Sequence, residues 1–339
     1  MTVCIIGAGV AGLLLVLLLQ MHIPSNQITI IDPHFDGGDL VRKWHSVTSN
    51  TPWKAAIGAF QTFAPKATLP AWALELDPEQ PTPLATVGRL IRETVNLSAV
   101  KRIQGSVTDA NWVTDAWHIQ YASAGSIATV TADTLLLATG GEPKYMDLPI
   151  PSIPLDVALD ATRLKSYILP GQKVVLFGTS HSGTLIIKNV LDCAVQSVAA
   201  IYKGSKPFIW ARDGEYDGIK LEAAVLADSY VASTAPEQLT LVSLADISGI
   251  IKSTHMADWV IYAIGFNQRY TFPVRKESVV TNLTEYERTT GKIPSLPNAW
   301  GFGLSHPSLA PDGVHFDVGV FSFMEHISKQ ISSILDSKK

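Results

Sequence analysis

The first thirty-two residues leave this chain few ways to fold. Residues 2–6 are a short β-branched run, and Gly7-Ala8-Gly9-Val10-Ala11-Gly12 follows at once. Residues 13–21 favour helix, residues 27–31 read as a second strand, and Asp32 closes them. Strand, GxGxxG, helix, strand and an acid about twenty residues on make a complete βαβ unit around a phosphate-binding turn. In such a unit Gly7 permits the tight turn, Gly9 lets the backbone approach a pyrophosphate, and Gly12 lets the helix pack close to the sheet. Ala11 lies in the same turn. The helix N-terminus offers free N–H groups and a favourable dipole to the anion. Asp32 is placed to accept hydrogen bonds from a ribose diol.

Residues 3–21 are apolar enough to suggest a membrane span or a signal peptide. The first basic residue is Arg42, so the basic flank that either requires is missing. The expectation is a buried helix in a cytoplasmic protein with no membrane span. With 339 residues, 47% hydrophobic and 17% charged, the chain fits two globular domains rather than a disordered tail. A net charge of −4 leaves no electrostatic footprint for nucleic acid. Two cysteines exclude a disulfide-stapled scaffold, and Cys4 and Cys193 cannot form a CxxC pair.

A second strand-turn-helix occupies residues 173–191, with the turn Gly178-Thr179-Ser180-His181-Ser182-Gly183. Its spacing repeats the first turn, and Ser180, small enough for close approach, stands where the second glycine would be. His181 and Ser182 are expected at the cofactor phosphate. The next strand ends in Lys203-Gly204-Ser205-Lys206 instead of an acid. Such a turn suits the 2′-phosphate of NADPH, where an acid would favour NADH. A solvated basic loop is the alternative.

Two further segments share one grammar: Asp133-Thr-Leu-Leu-Leu-Ala-Thr-Gly-Gly141 and Asp258-Trp-Val-Ile-Tyr-Ala-Ile-Gly-Phe266. Each reads as a buried strand ending in a glycine turn, at Thr139-Gly140 and at Gly265. They bracket the second nucleotide turn, as two crossovers between domains would. Prolines 143, 149, 151 and 154 crowd the outgoing one. The expected architecture is α/β, with two Rossmann-like three-layer domains, the second inserted into the first. Residues 1–147 and 265–339 form one domain, and residues 148–264 form the other.

On these motifs the chain resembles the two-dinucleotide-binding-domain flavoproteins, the pyridine nucleotide-disulfide oxidoreductase and class B flavin monooxygenase superfamily. The resemblance implies FAD at the first turn and NAD(P)H, here NADPH, in the inserted domain. It places Thr139 and Gly140 near the flavin, and the strand carrying Val107 over the adenine. It also places Trp44, after Gly37-Gly38, beside the flavin ring system. Residues 298–303, ending in Gly303, resemble the second flavin motif, which usually continues with Asp to hold the ribityl chain; this sequence has Leu304. The helix that begins around Asp317 and Val318 would point N–H groups at the flavin edge. His306 and His315 are candidate acids or bases, with a loop histidine bonded to backbone as the alternative for each. His326 reads as core. No metal-ligand spacing is present.

Without a thiol pair, disulfide reductase chemistry is not expected. The FxGxxxH-type motif of class B enzymes is also missing before the second turn, which permits oxygen insertion without demonstrating it. The leading expectation is an FAD-dependent oxidoreductase, monooxygenase-like, acting on a small molecule. Reduction of a quinone or protein acceptor is the alternative, and a non-catalytic flavin- or nucleotide-binding sensor is a further one.

Overall fold

The computed structural model describes residues 1–208, 220–269, 271–310, 313 and 316–336. The chain divides into two compact units. One comprises Met1–His45, Pro52–Glu142 and Asn267–Lys339, and the other Ser46–Thr51 and Pro143–Phe266. The crossings therefore fall at Glu142/Pro143 and Phe266/Asn267, where the sequence suggested 147/148 and 264/265. The outgoing crossing comes at the first proline of its Pro-rich stretch.

The larger unit is built on a five-stranded parallel sheet, in the order Ala299–Gly301, Thr134–Leu137, Val3–Ile6, Ile28–Asp32 and Lys101–Gln104. Alternation along these strands sends successive side chains to opposite faces. Val3, Ile5, Ile28, Ile30 and Leu136 enter a core shared with the helices Val10–Leu19, Leu84–Thr94 and Val320–Asp336. Cys4, Ile6, Ile31, Leu135 and Leu137 enter a second core. That core lies beneath a mostly antiparallel sheet whose meander is Ser106–Val113, Ala116–Ser123 and Ser126–Ala132. The result is three layers, with the parallel sheet in the middle. The first helix is so apolar because it is covered all round: all but the first of its ten residues are buried. Among the described residues no helix is long and apolar enough to cross a membrane.

The smaller unit repeats four strands of this parallel order, but its edge strand comes from the start of the unit, where the larger unit takes its own from near the end. Its strands run Ser152–Ile153, Trp259–Tyr262, Lys173–Phe177, Ser197–Tyr202 and Leu239–Ser243. The repetition extends to single hydrogen bonds. Asp133 accepts from the Thr2 backbone N–H at 2.7 Å and donates its own N–H to the Thr2 carbonyl at 3.0 Å. Asp258 does the same with Lys173, at 2.7 and 2.9 Å. The shared grammar thus begins with Asp for a mechanical reason. The carboxylate meets the first free N–H of the neighbouring strand, and so sets the register of both.

Replacing Asp133 or Asp258 by Ala should therefore destabilise its own unit by about 1–2 kcal/mol, the worth of a partly exposed hydrogen bond to a charged group. The shift in urea midpoint, followed for each transition separately, measures it.

Candidate nucleotide sites

Each glycine turn sits at the carboxyl end of its sheet, between the central strand and the helix that follows. Gly7 and Gly178 have φ of 102° and 97°, which favours glycine. Their N–H groups donate to the next strand over, Ile31 and Ile201, both at 2.9 Å. A Cβ on Gly7 would lie 2.4 Å from the Ala138 carbonyl oxygen, and one on Gly178 would lie 2.3 Å from that of Ala263. A Cβ on Gly12 would lie 1.8 Å from the Gly7 oxygen, and one on Gly183 would lie 2.0 Å from the Gly178 oxygen. These four glycines are demanded by the protein's own packing.

The middle position of each turn is different. A Cβ on Gly9 would meet nothing nearer than Gly38 Cα at 4.0 Å, and Gly9 has ordinary extended geometry. Its counterpart Ser180 is exposed. Both helices begin there without a side-chain cap, so their first N–H groups face outward. A small residue that packing does not require, beside uncapped N–H groups, fits a phosphate group approaching from outside.

Other segments gather at the first turn. Gly303, with φ of 74°, packs against Ala11, where a Cβ would come within 2.7 Å of the alanine methyl. Gly38 passes equally close to Gly9, at 2.8 Å for the same construction. Thr139 and Gly140 follow directly from Ala138, the residue that Gly7 abuts. Asp32 accepts three backbone N–H groups, from Ala8 at 2.8 Å, His34 at 2.7 Å and Phe35 at 2.9 Å. A carboxylate has about four acceptor sites, so one remains for a ribose hydroxyl. Trp44 is buried, and the Val107 side chain lies in the core under the antiparallel sheet. Leu304, where an Asp would hold the ribityl chain, packs instead against the helical core. Asp317 accepts from Gly319 at 3.4 Å and Val318 is exposed, just ahead of the helix Val320–Asp336.

One constellation had no signal in the sequence. Arg269 donates to the Asp39 carboxylate and, at 3.0 Å, to the Gly141 carbonyl, with Glu142 3.5 Å away. Burial alone would raise the Asp39 pKa, but Arg269 and Lys43 outweigh it and hold the carboxyl below its usual range. The partners are 230 positions apart, beyond any local pattern.

In the smaller unit the exposed residues Lys203 and Lys206 lie on one loop, and Gly265 is exposed at the end of the last strand segment. His181 begins the second helix half-buried. Its Nδ1 has no hydrogen-bond partner, and burial lowers its pKa.

Of the two candidate catalytic histidines, His315 lies outside the described residues. His306 is 1% exposed, with its ring edge-on to Tyr286 at 5.0 Å and flush against Gly301. Burial pushes its pKa down to about 4, and the Leu283 backbone offsets this only in part. The neutral imidazole lines a small cavity with Thr139, Gln268 and Ser305. His326 is buried against Phe302, and its pKa is also lowered by burial.

A histidine with its pKa lowered by the fold stabilises fully above its unfolded value and loses that contribution as pH falls toward the folded one. His306 should therefore cost stability between about pH 6.5 and pH 4. A His306→Gln variant should lose less melting temperature over that interval than the unmodified protein, as differential scanning fluorimetry would show.

The comparisons with known proteins agree with this geometry. The chain is 25% identical over 375 residues to "Monooxygenase AgnR1" of Paecilomyces divaricatus, covering 96% of this chain and 95% of that one. A mutant flavin monooxygenase from Stenotrophomonas maltophilia superposes with a TM-score of 0.66 at 14% identity, over 100% and 99% of the two chains. A bacillithiol disulfide reductase from Bacillus cereus gives 0.65 at 15% identity, also over 100% and 99%. The family model described as pyridine nucleotide-disulphide oxidoreductase matches residues 1–266. With that match spanning most of its length, and with both glycine turns built alike, the chain belongs to the pyridine nucleotide-disulphide oxidoreductase family.

Proposed function

We propose that this chain is an FAD-dependent, NADPH-consuming monooxygenase acting on a small molecule. The observation that carries this reading is the pair of open middle positions, Gly9 and Ser180, in two turns otherwise closed by packing. Two phosphate-facing turns on two sheets match two dinucleotides, one per unit. Gly7, Gly9, Ala11, Gly12 and Asp32 would hold the flavin nucleotide, with Thr139, Gly140, Gly303 and the helix start after Val318 arranged at the same end of the sheet. Gly178, Ser180, His181, Ser182 and Gly183 would hold the pyrophosphate of the nicotinamide nucleotide, with Lys203 and Lys206 facing its 2′-phosphate. Bound together, the two cofactors supply hydride transfer to the flavin and delivery of the electron pair to oxygen.

The protein's own thiols offer no alternative route for electrons. Cys4 is fully buried in the central strand, and burial pushes its thiol pKa up to about 12. Cys193 is buried as well, its pKa also raised by burial, and neither is in a disulfide. A thiol kept protonated is a poor nucleophile. The monooxygenase reading is favoured over disulfide reduction on this ground, and the match to a curated monooxygenase along nearly the whole chain supports it.

His306 is neutral at physiological pH and lies within the protein, packed against Gly301 and Tyr286, so in this reading it is a packing residue and not a proton carrier. Proton exchange with solvent would demand an exposed imidazole near its ordinary pKa.

Gly9→Ala should weaken or abolish flavin binding while changing the melting temperature of flavin-free protein by little, because a Cβ there meets nothing nearer than Gly38 Cα at 4.0 Å. Gly12→Ala should instead destabilise the protein by about 2–3 kcal/mol or prevent folding, because its Cβ meets backbone. Flavin absorbance of the purified variants and their unfolding midpoints check both. Full flavin content in Gly9→Ala, at an affinity equal to that of the unmodified protein, would refute the assignment of the first turn.

Turnover distinguishes the functions. The FAD-loaded protein should oxidise NADPH in air, faster with a candidate substrate present, and an oxygen atom from labelled O2 should appear in the product. NADPH oxidation with a quinone and no labelled product would identify an acceptor reductase instead. No oxidation under any condition would leave a binding protein.

A further inference from the structure

The basic loop of the smaller unit is fixed at both ends. At its start, the carbonyl of Tyr202 accepts from the Leu244 N–H at 2.8 Å. At its end, the Thr179 hydroxyl donates to the Pro207 carbonyl, and the next residue, Phe208, is fully buried with its ring 5.9 Å from that of Tyr230. Between these anchors Lys203, Gly204, Ser205 and Lys206 are all exposed, and Gly204 turns the chain at φ of 103°. Among the described residues neither lysine is paired with a carboxylate.

Thr179 is the notable anchor because of where it stands. It is the residue between Gly178 and Ser180, inside the nucleotide turn, and is 7% exposed. Its own carbonyl accepts from the Thr184 hydroxyl at 3.2 Å, one turn into the helix. One buried hydroxyl therefore joins the turn that faces a pyrophosphate to the loop that carries two unpaired ammonium groups. The turn itself does not need a hydroxyl at this position: the first turn has Ala8 there, and its main-chain geometry is the same.

We infer that Thr179 is a specificity-determining positioning residue, which holds the Lys203–Lys206 loop against the nucleotide turn so that the ammonium groups meet a 2′-phosphate. The inference rests on the reading of this turn as the NADPH site. Lysine is a flexible point charge, so its contribution depends on how narrowly its backbone is confined. With only the buried Phe208 ring left to hold its far end, the loop would be less narrowly confined and would pay more ordering entropy each time the phosphate binds. The Thr179 side chain is buried and its hydroxyl is engaged by the Pro207 carbonyl, so it is not offered to the pyrophosphate, and its loss should weaken binding only of the 2′-phosphorylated nucleotide.

The test measures binding, not turnover. Flavin-loaded protein is titrated calorimetrically at low salt with 2′,5′-ADP and with 5′-ADP, and the affinity ratio is compared across variants. The unmodified protein should favour 2′,5′-ADP about tenfold or more, from charge-assisted contacts near the surface. Lys203→Ala combined with Lys206→Ala should bring the ratio close to one. Thr179→Val, nearly isosteric but without the hydroxyl, should reduce the ratio about threefold to fivefold and leave 5′-ADP affinity unchanged. Thr179→Ser, which restores the hydroxyl, should behave as the unmodified protein. If Thr179→Val misfolds, Thr179→Ala carries the same test with less buried volume. An unchanged ratio in both hydroxyl-free variants, with the lysine variant impaired, would overturn the role of Thr179 alone. No preference in the unmodified protein, or a full preference in the lysine variant, would overturn the NADPH reading beneath it and the inference with it.

Discussion

Everything in this molecule hangs on a contact that admits no side chain. The Gly12 α-carbon sits so close to the Gly7 carbonyl that even a methyl group would overlap the oxygen, and Gly183 repeats this on Gly178. That contact pulls the helix down onto the strand, brings its N-terminus to the edge of the sheet, and leaves its first N–H groups pointing outward. Once the helix is seated, the neighbouring strand must bring a small residue to the same spot. Ala138 and Ala263 are those residues, and their N–H groups donate to Ile6 and Phe177 at 2.9 and 2.7 Å. Two uncapped helix starts are thus brought to two sheet edges by one steric rule applied twice.

How far the sequence could be read depended on whether the responsible contact was local. The glycine turns, the strands and the buried first helix follow from spacing and alternation, so they were legible. The shared Asp at the head of the two matching segments was visible as a pattern, but its partner was not. Thr2 and Lys173 carry no marker for a bond made through their backbone. The tight turn between Ser106–Val113 and Ala116–Ser123 carries no glycine to mark it: it uses Thr114 and Asp115 at positive φ, with Trp112 and Trp117 edge-on across it. The ion pair of Arg269 with Asp39 was invisible, because only the folded sheet brings these two together.

His306 illustrates a different limit. In a sequence, a histidine beside a flavin-type motif invites an acid–base role. In the fold it lies against Gly301, and only glycine there leaves room for the ring. The residue type was right for chemistry, but burial decides its protonation, and burial is a property of the packed molecule. Leu304 is the converse case. Its departure from the usual acid looks like a loss in the sequence, yet in the fold it joins the core that seats the first helix.

The clamp formed by Arg269 also bears on how such an interrupted chain assembles. It ties Arg269, two residues after the chain re-enters the larger unit, to Gly141, one residue before it leaves. Within the smaller unit the Lys144 N–H meets the Gly265 carbonyl at 2.9 Å. To the larger unit, the inserted stretch of about 120 residues is a loop that must be closed. Closing a flexible loop of that length costs about 4 kcal/mol in chain entropy. A folded insert holds its own two ends together, so that penalty vanishes once it has formed. The insert can then act as a template for its host through the covalent backbone alone, which favours an order of folding in which the inner unit comes first.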